Sequence, residues 1–334
     1  MPHIIPVFIN HAGCPHRCAF CNQRAINRRA GFSLPAVRAQ IAEGLKWRPG
    51  GEGKEIAFYG GSFTGLPEET QENLLGIAQN LRREGKIDTI RLSTRPDYID
   101  KKVVRRLLAH EVDLVEIGAQ SLDDRVLALA RRGHDAQSVM DAARLLRAAG
   151  LKTGLQLMVG LPGQTWRSIA ETVEKVIEIK PDTVRIYPLL ILAGTEFAAA
   201  WAKGCLEAME LETAVEEAAY ITDKVTGHGI KVIRTGLQDD AGLREQGAIL
   251  AGPYHPAFGE LVAARRCRKA METILAGRGG KGEAVFNVPA RYLSQALGHK
   301  KSNMAYFKQH YPQIAVTFEK TECENIQLKE FHRE

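Results

Sequence analysis

The sequence contains no apolar run of membrane-spanning length, which is about 20 consecutive residues. Its first residues, Met1-Pro2-His3-Ile4-Ile5-Pro6, lack the basic-then-apolar layout of a secretory leader. They read as the lead-in to a strand. Cysteine is scarce, with six in 334 residues, too few and too scattered for a disulfide framework. Cys205, Cys267 and Cys323 stand far apart and read as isolated thiols. A soluble protein of the reducing cytoplasm, without a membrane partner, is the expectation.

The other three cysteines are crowded into Cys14-Pro15-His16-Arg17-Cys18-Ala19-Phe20-Cys21, a C-x3-C-x2-C spacing. Three thiolates can hold three corners of a cubane iron–sulfur cluster and leave the fourth iron open to an outside ligand. Four-cysteine clusters leave no iron open. A zinc site usually pairs one C-x2-C with a second pair, and the sequence has no second pair. The spacing therefore points to a 4Fe–4S cluster on Cys14, Cys18 and Cys21, with a zinc knuckle or three incidental thiols as the alternatives.

Charge is unevenly placed. Residues 261–334 carry 13 Lys/Arg against 7 Asp/Glu, which is the whole formal net charge of +6, whereas residues 1–260 carry 32 of each. A basic segment suits a polyanion partner, and a solvated surface with a modest excess suits the numbers equally.

Apolar strand-like runs alternate with amphipathic stretches. Strands are expected at residues 4–10, 55–59, 89–94, 114–119, 153–159 and 183–187. Helices are expected at 34–46, 67–83, 101–109, 123–130, 137–149 and 165–179. Six βα units with near-continuous apolar strands mean an α/β fold with a parallel sheet covered by helices. Right-handed crossovers favour a barrel or an open curved sheet. A further helix at 210–227 and a seventh strand at 231–234 follow, then a turn-rich segment at 252–259 and a basic helix at 260–275. Gly277 to Gly282 reads as a flexible link. It leads to a small module with strands at 285–288 and 314–318 and helices at 291–297 and 302–310. The expected division is a core over residues 1–236 and a basic extension over 237–334.

In such folds the ligand site lies at the C-terminal ends of the strands. Five unusual loops fall there: the cysteine loop after strand one, Gly60-Gly61-Ser62 after strand two, Thr94-Arg95 after strand three, Gln120-Ser121 after strand four and Gly160-Leu161-Pro162-Gly163 after strand five.

Six stretches, in this order, resemble one family: GCPHRCAFCNQ (13–23), FYGGSFTGL (58–66), LSTRPDYID (92–100), IGAQSLDDRVLALARRGHD (117–135), MVGLPGQT (158–165) and RIYPLLILAGTE (185–196). The chain resembles the radical S-adenosylmethionine (SAM) superfamily, and within it the core of Elongator protein 3-like enzymes. The resemblance implies a partial (β/α)6 TIM-like barrel, a 4Fe–4S cluster and SAM. It also implies reductive cleavage of SAM to a 5′-deoxyadenosyl radical that abstracts hydrogen from substrate, and a flavodoxin- or ferredoxin-like one-electron donor.

Site roles follow from the same resemblance. Cys14, Cys18 and Cys21 ligate iron. Phe20 packs near the adenine or serves as ordinary loop packing. Gly60 and Gly61 bring backbone close to the SAM ammonium or make a tight turn. Ser62 stands where the family more often has Glu, so the carboxylate of that form is missing. Thr94 and Arg95 end a strand, and Arg95 either engages an anion such as the SAM carboxylate or forms a structural ion pair. Gln120 and Ser121 face the ribose hydroxyls or cap the strand. Gly160, Leu161 and Pro162 shape the adenine site. Arg17, His134 and Tyr187 carry no settled role; Tyr187 either faces substrate or packs in the core.

Elongator-type proteins also carry an N-terminal tRNA-binding region and an acetyltransferase domain. The first strand here starts almost at Met1, and no acetyl-CoA loop pattern is visible in the last 140-odd residues. Lys300, Lys301, Arg291 and Lys308 are interleaved with Tyr292, Tyr306 and Phe307, a pattern that suits looped RNA or a small helical module with core aromatics. Three functions remain open: a radical SAM enzyme acting on RNA, one acting on a small molecule or protein, and a non-catalytic binding protein. The intact triad argues against the last.

Overall fold

Within each strand of the core, alternate residues differ in kind. Ile56 and Phe58 alternate with Glu55 and Tyr59, Ile90 and Leu92 with Arg91 and Ser93, Val115 and Ile117 with Glu116, Leu155 and Leu157 with Gln156, and Val184 and Ile186 with Arg185 and Tyr187. A strand turns successive side chains to opposite faces, so one face of the sheet is aliphatic and the other polar. The first set belongs to one continuous core that also takes in Leu74, Leu107, Leu146, Val173 and Val225 of the surrounding helices.

The computed structural model describes residues 3–333 apart from 16–17, 24–25, 27–31, 47–52, 238–241, 244 and 277–280. Arg17 and most of the Gly277–Gly282 link lie outside the described residues. Seven parallel strands form one curled sheet in the order β1 (His3–Phe8), β2 (Lys54–Tyr59), β3 (Thr89–Thr94), β4 (Leu114–Gln120), β5 (Lys152–Val159), β6 (Thr183–Pro188) and a last strand, Lys231–Thr235. The helices between them are α1 (Leu34–Lys46), α2 (Glu68–Arg83), α3 (Lys101–Ala109), α4 (Asp124–Leu129), α5 (Ala136–Ala148) and α6 (Trp166–Ile179). This is the partial barrel expected from the alternation. Its first strand ends at Phe8, two residues short of the expected Asn10. Three helix starts are fixed by an aspartate that accepts from the first-turn backbone, Asp100 from Val103 N, Asp123 from Val126 N and Asp135 from Ser138 N, and two by a threonine, Thr165 from Ser168 N and Thr195 from Ala198 N.

Beyond β6 the chain adds elements that the sequence pattern did not show. These are a short β7 (Ile191–Leu192), a helix α7 (Glu196–Ala202) and β9 (Ile249–Ala251), which pairs antiparallel with β7; α8 (Leu211–Gly227) and β8 (Lys231–Thr235) are the helix and seventh strand expected at 210–227 and 231–234. The long helix α9 (Phe258–Leu275) then joins two cores. Its Phe258 and Val262 belong to the barrel core, and its Met271 and Leu275 belong to a second core with Phe286, Val288, Phe307 and Val316. That second core underlies a three-stranded sheet in which β10 (Gly282–Pro289) is central, with β11 (Ile314–Thr321) parallel and β12 (Gln327–Arg333) antiparallel. Two helices, α10 (Leu293–Leu297) and α11 (Ser302–His310), cover it. The buried Asn303 amide ties this module to α9 by donating to Ala264 O at 2.9 Å and to Gln295 O and Ala296 O at 3.1 Å.

Candidate active site

The polar face of the curled sheet lines a cavity of about 660 Å³ that reaches the C-terminal strand ends. Cys14, Cys18, Cys21, Phe20, Gly60, Gly61, Thr94, Arg95 and Gln120 all line it. Ser62, Ser121, Gly160, Leu161 and Pro162 do not line it.

The cysteine loop is bolted to the double-glycine turn. Ile9 N donates to Tyr59 O at 2.8 Å, His11 N to Gly60 O at 2.8 Å and Ser62 N to Ala12 O at 2.9 Å. A Cβ on Gly61 would lie 2.4 Å from Ala12 O and 2.6 Å from Ile9 O. A Cβ on Gly13, whose φ is +73°, would lie 2.0 Å from Ser62 O. The missing side chains thus let one backbone lie on another, and the turn holds the cysteine loop in place as well as lining the cavity. Gly61→Ala is expected to displace the loop and lower iron incorporation on reconstitution at least several-fold, read by iron content. Full incorporation would contradict this.

Ser62 is fully buried beneath the turn. Its hydroxyl lies 2.9 Å from Thr94 Oγ1 and accepts from Arg95 N at 3.2 Å. Thr94 Oγ1 also meets Thr64 Oγ1 at 2.6 Å. Arg95 pairs with Asp97, Nε to Oδ1 at 2.9 Å and Nη2 to Oδ2 at 3.0 Å, while still lining the cavity. Gln120 sits at φ +69° where the β4–β5 register shifts; this left-handed backbone is uncommon for a residue other than glycine. Ser121 is buried, and its hydroxyl accepts from Asp123 N at 3.2 Å and lies 3.5 Å from Thr172 Oγ1. Phe20 packs against Phe197 with centroids 6.4 Å apart. The two belong to an apolar wall with Met158, Leu161 and Leu189, so Leu161 stands behind the wall that Phe20 faces.

Two groups at this site carry no signal in the sequence spacing. Arg132, 6% exposed, donates from Nη1 to Cys18 Sγ at 2.9 Å and from Nη2 to Gly118 O. It lies within one of the family-like stretches, but only the fold brings it to a cysteine 114 positions away. Glu217 of α8 lies behind the Gly160 turn, 5% exposed, with Oε2 lacking a partner among the described residues. Burial pushes its carboxyl from 4.5 up to about 7, against the pull of the Gly160 N–H. An acid with a raised folded-state pKa contributes stability that is fully present below its unfolded value and is lost as pH rises, here from about 4.5 through about 7. Glu217→Gln is therefore expected to gain about 1–3 kcal/mol in urea unfolding at pH 8 and almost nothing at pH 4.5. An equal gain at both pH values would contradict this.

The three cysteines suit a cluster better than a single ion. Among the described residues, no three His, Cys, Asp or Glu side chains converge as single-ion ligands, whereas a cubane gives each thiolate its own iron. Burial and then the neighbouring Cys18 raise the Cys14 thiol, and the same two causes push Cys21 up to about 12. Thiolates packed in this way need a cationic group among them.

Comparison with known proteins agrees with this geometry. Residues 11–176 match the radical SAM superfamily and residues 181–268 the radical SAM C-terminal domain. A tRNA uridine(34) acetyltransferase of Methanocaldococcus infernus is 27% identical over 65% of this chain and 48% of its own length. The chain thus spans about half of that relative. Protein YhcC of Escherichia coli K12 is 31% identical over 66% of this chain and 76% of its own. A solved structure of the M. infernus Elp3 with an N-terminal deletion superposes with a TM-score of 0.62 at 25% identity, over 82% of this chain and 63% of that one. With its curled parallel sheet and its cysteine loop on the rim, the chain belongs to the radical SAM superfamily of enzymes and has an Elp3-like core.

Proposed function

We propose that the chain cleaves SAM reductively at a 4Fe–4S cluster held by Cys14, Cys18 and Cys21, and acts on a substrate seated in the half-barrel. The observation that carries this is the meeting of all three cysteines with Gly60, Gly61, Thr94, Arg95 and Gln120 around one cavity. When bound, the cluster and SAM would supply a 5′-deoxyadenosyl radical for hydrogen abstraction. The residues serve that chemistry as follows. Arg132 places a cation on the Cys18 sulfur. Backbone groups of Gly60 and Gly61 and the Gln120 amide offer polar contacts on the cavity wall. Phe20 and Met158, packed in one cluster with Leu161, supply an apolar face for an adenine. Gly160 and Pro162 support that face from outside the cavity. Ser62 and Ser121 act by holding their loops.

The free thiols fit a reducing cytoplasm, and a flavodoxin- or ferredoxin-like protein fits as electron donor. Residues 1–236 carry the chemistry in this reading, and 237–334 form a substrate-side module. The test is electron paramagnetic resonance of the anaerobically reconstituted, dithionite-reduced protein. A 4Fe–4S signal whose g-values move on adding SAM supports a SAM-binding open iron. A signal indifferent to SAM, or no cluster signal, overturns it.

RNA is the substrate class favoured by the module's surface. Lys300, Lys301 and Lys308 are exposed there, and the Arg291 guanidinium lies 4.9 Å from the centroid of the exposed Tyr292 ring. Phe307 is core packing instead, and Tyr306 is covered by Arg268 at 4.2 Å and His310 at 4.0 Å. Bulk tRNA is expected to bind with an affinity that falls steeply with salt. Absent or salt-indifferent binding would turn the reading to a small molecule or protein.

A further inference from the structure

We infer that the half-barrel lumen holds a site for the acidic head group, carboxylate or phosphate, of a small-molecule ligand, gripped by Arg234 and Arg185 with the hydroxyls of Tyr59 and Tyr187. The site depends neither on the radical SAM reading above nor on whether the C-terminal module binds RNA.

Arg185 of β6 and Arg234 of β8 are register partners on adjacent strands, and both line the cavity with Tyr59, Gln156 and Tyr187. Arg185 is fixed from behind, its Nε donating to Glu116 Oε1 at 2.6 Å. Its Nη2 donates to Tyr59 OH at 2.7 Å and its Nη1 to Tyr187 OH at 3.4 Å. A phenol oxygen that accepts from a guanidinium must send its own hydrogen elsewhere. Among the described residues neither phenol has an acceptor for it, so both O–H groups are left for a ligand. Burial, first among the causes, raises the pKa of both phenols and keeps them protonated.

Arg234 adds more donors. Its Nε donates to Gly236 O at 3.2 Å, and among the described residues neither terminal nitrogen has a protein partner. On the strands that form the lumen, the arginines 91, 185 and 234 face the carboxylates of Glu55 and Glu116, both already held by Arg91 at 2.9 Å, and Glu43 of α1 also lines the cavity. The lumen is thus donor-rich beside Arg234. A planar or tetrahedral anionic oxygen group completes it. Tyr59 ends β2 directly before the Gly60-Gly61 turn that holds the cysteine loop, so a molecule anchored by these groups lies close to the reacting end. A cavity of about 660 Å³ suits a metabolite-sized molecule.

The test is site-resolved arginine modification of the full chain by phenylglyoxal, quantified by peptide mass spectrometry. The probes are succinate, inorganic phosphate and neutral succinamide at equal ionic strength. Arg167, whose side chain is 88% exposed, is the internal reference. Succinate or phosphate at millimolar concentration is expected to slow modification of Arg234 at least fivefold and leave Arg167 unchanged, with succinamide inert. Protection by succinate alone assigns a carboxylate head, by phosphate alone a phosphate ester. The conservative pair Tyr59→Phe and Tyr187→Phe is expected to raise the protecting concentration about tenfold. Equal rates with all probes, equal protection of Arg167, or protection unaltered by the phenylalanine pair would each overturn the site. None of these readouts needs the cluster, so failure of SAM cleavage and failure of this site remain separable.

Discussion

Alanine at Cys14, Cys18 or Cys21 is expected to remove the cluster's broad visible absorbance and reduce 5′-deoxyadenosine formation to background. Each thiolate would hold its own iron, and no other cysteine can substitute: Cys205, Cys267 and Cys323 are the remaining cysteines, and none lines the cavity. Arg132→Gln provides the graded comparison. It leaves three thiolates but removes the donor to Cys18 Sγ, and changing such an outer partner typically costs roughly 10–100-fold in metal affinity or activity. Iron content, absorbance and product should therefore fall to background in the cysteine variants and partway in Arg132→Gln. A cysteine variant that keeps full iron and product would contradict the ligand assignment.

The second large effect belongs to Glu116, which is 1% exposed. Its carboxylate accepts from Arg91 Nη1 at 2.9 Å, Arg185 Nε at 2.6 Å, Ser93 Oγ at 3.2 Å and Gln156 Nε2 at 3.1 Å. Removing one partner of a buried ion pair leaves the other charge uncompensated and costs about 3–5 kcal/mol. Glu116→Ala strands parts of two guanidinium groups at once, so it should lie at the upper end of that range in urea unfolding. Pairing Glu116→Leu with Arg185→Met should recover much of the loss, because apolar groups of similar volume need no counter-charge. A Glu116→Ala variant within about 1 kcal/mol of the parent would show that the network carries little of the fold's stability.

Strand order, helix positions and the rim loops were legible because the aliphatic half of each strand repeats so regularly. That same regularity concealed the lumen. Arg91, Glu116, Gln156 and Arg185 each sit between aliphatic neighbours, so the strands read as near-continuous apolar runs, and the charged inner face emerged only with the sheet's curl. The last strand, β12, was missed for a local reason. The β10–β12 register shifts between Val285 and Phe286, so its packed residues Leu328 and Phe331 are three apart, and the period of two is broken. At the site, position after a strand end was a sound guide to which loops meet, but it does not say where a side chain turns. Thr94 and Gln120 line the cavity, whereas the neighbouring hydroxyl of Ser121 is taken by Asp123 N. Arg132 had no spacing signal, because its partner is Cys18 on a different loop.

The most direct measurement is the yield of 5′-deoxyadenosine when the anaerobically reconstituted chain is given SAM and dithionite, followed by mass spectrometry beside the Cys18→Ala variant. Formation of 5′-deoxyadenosine by the parent and its absence from the variant is the expected result. No 5′-deoxyadenosine from a parent that holds its full iron, or equal amounts from both proteins, would contradict the assignment of this cavity to SAM cleavage.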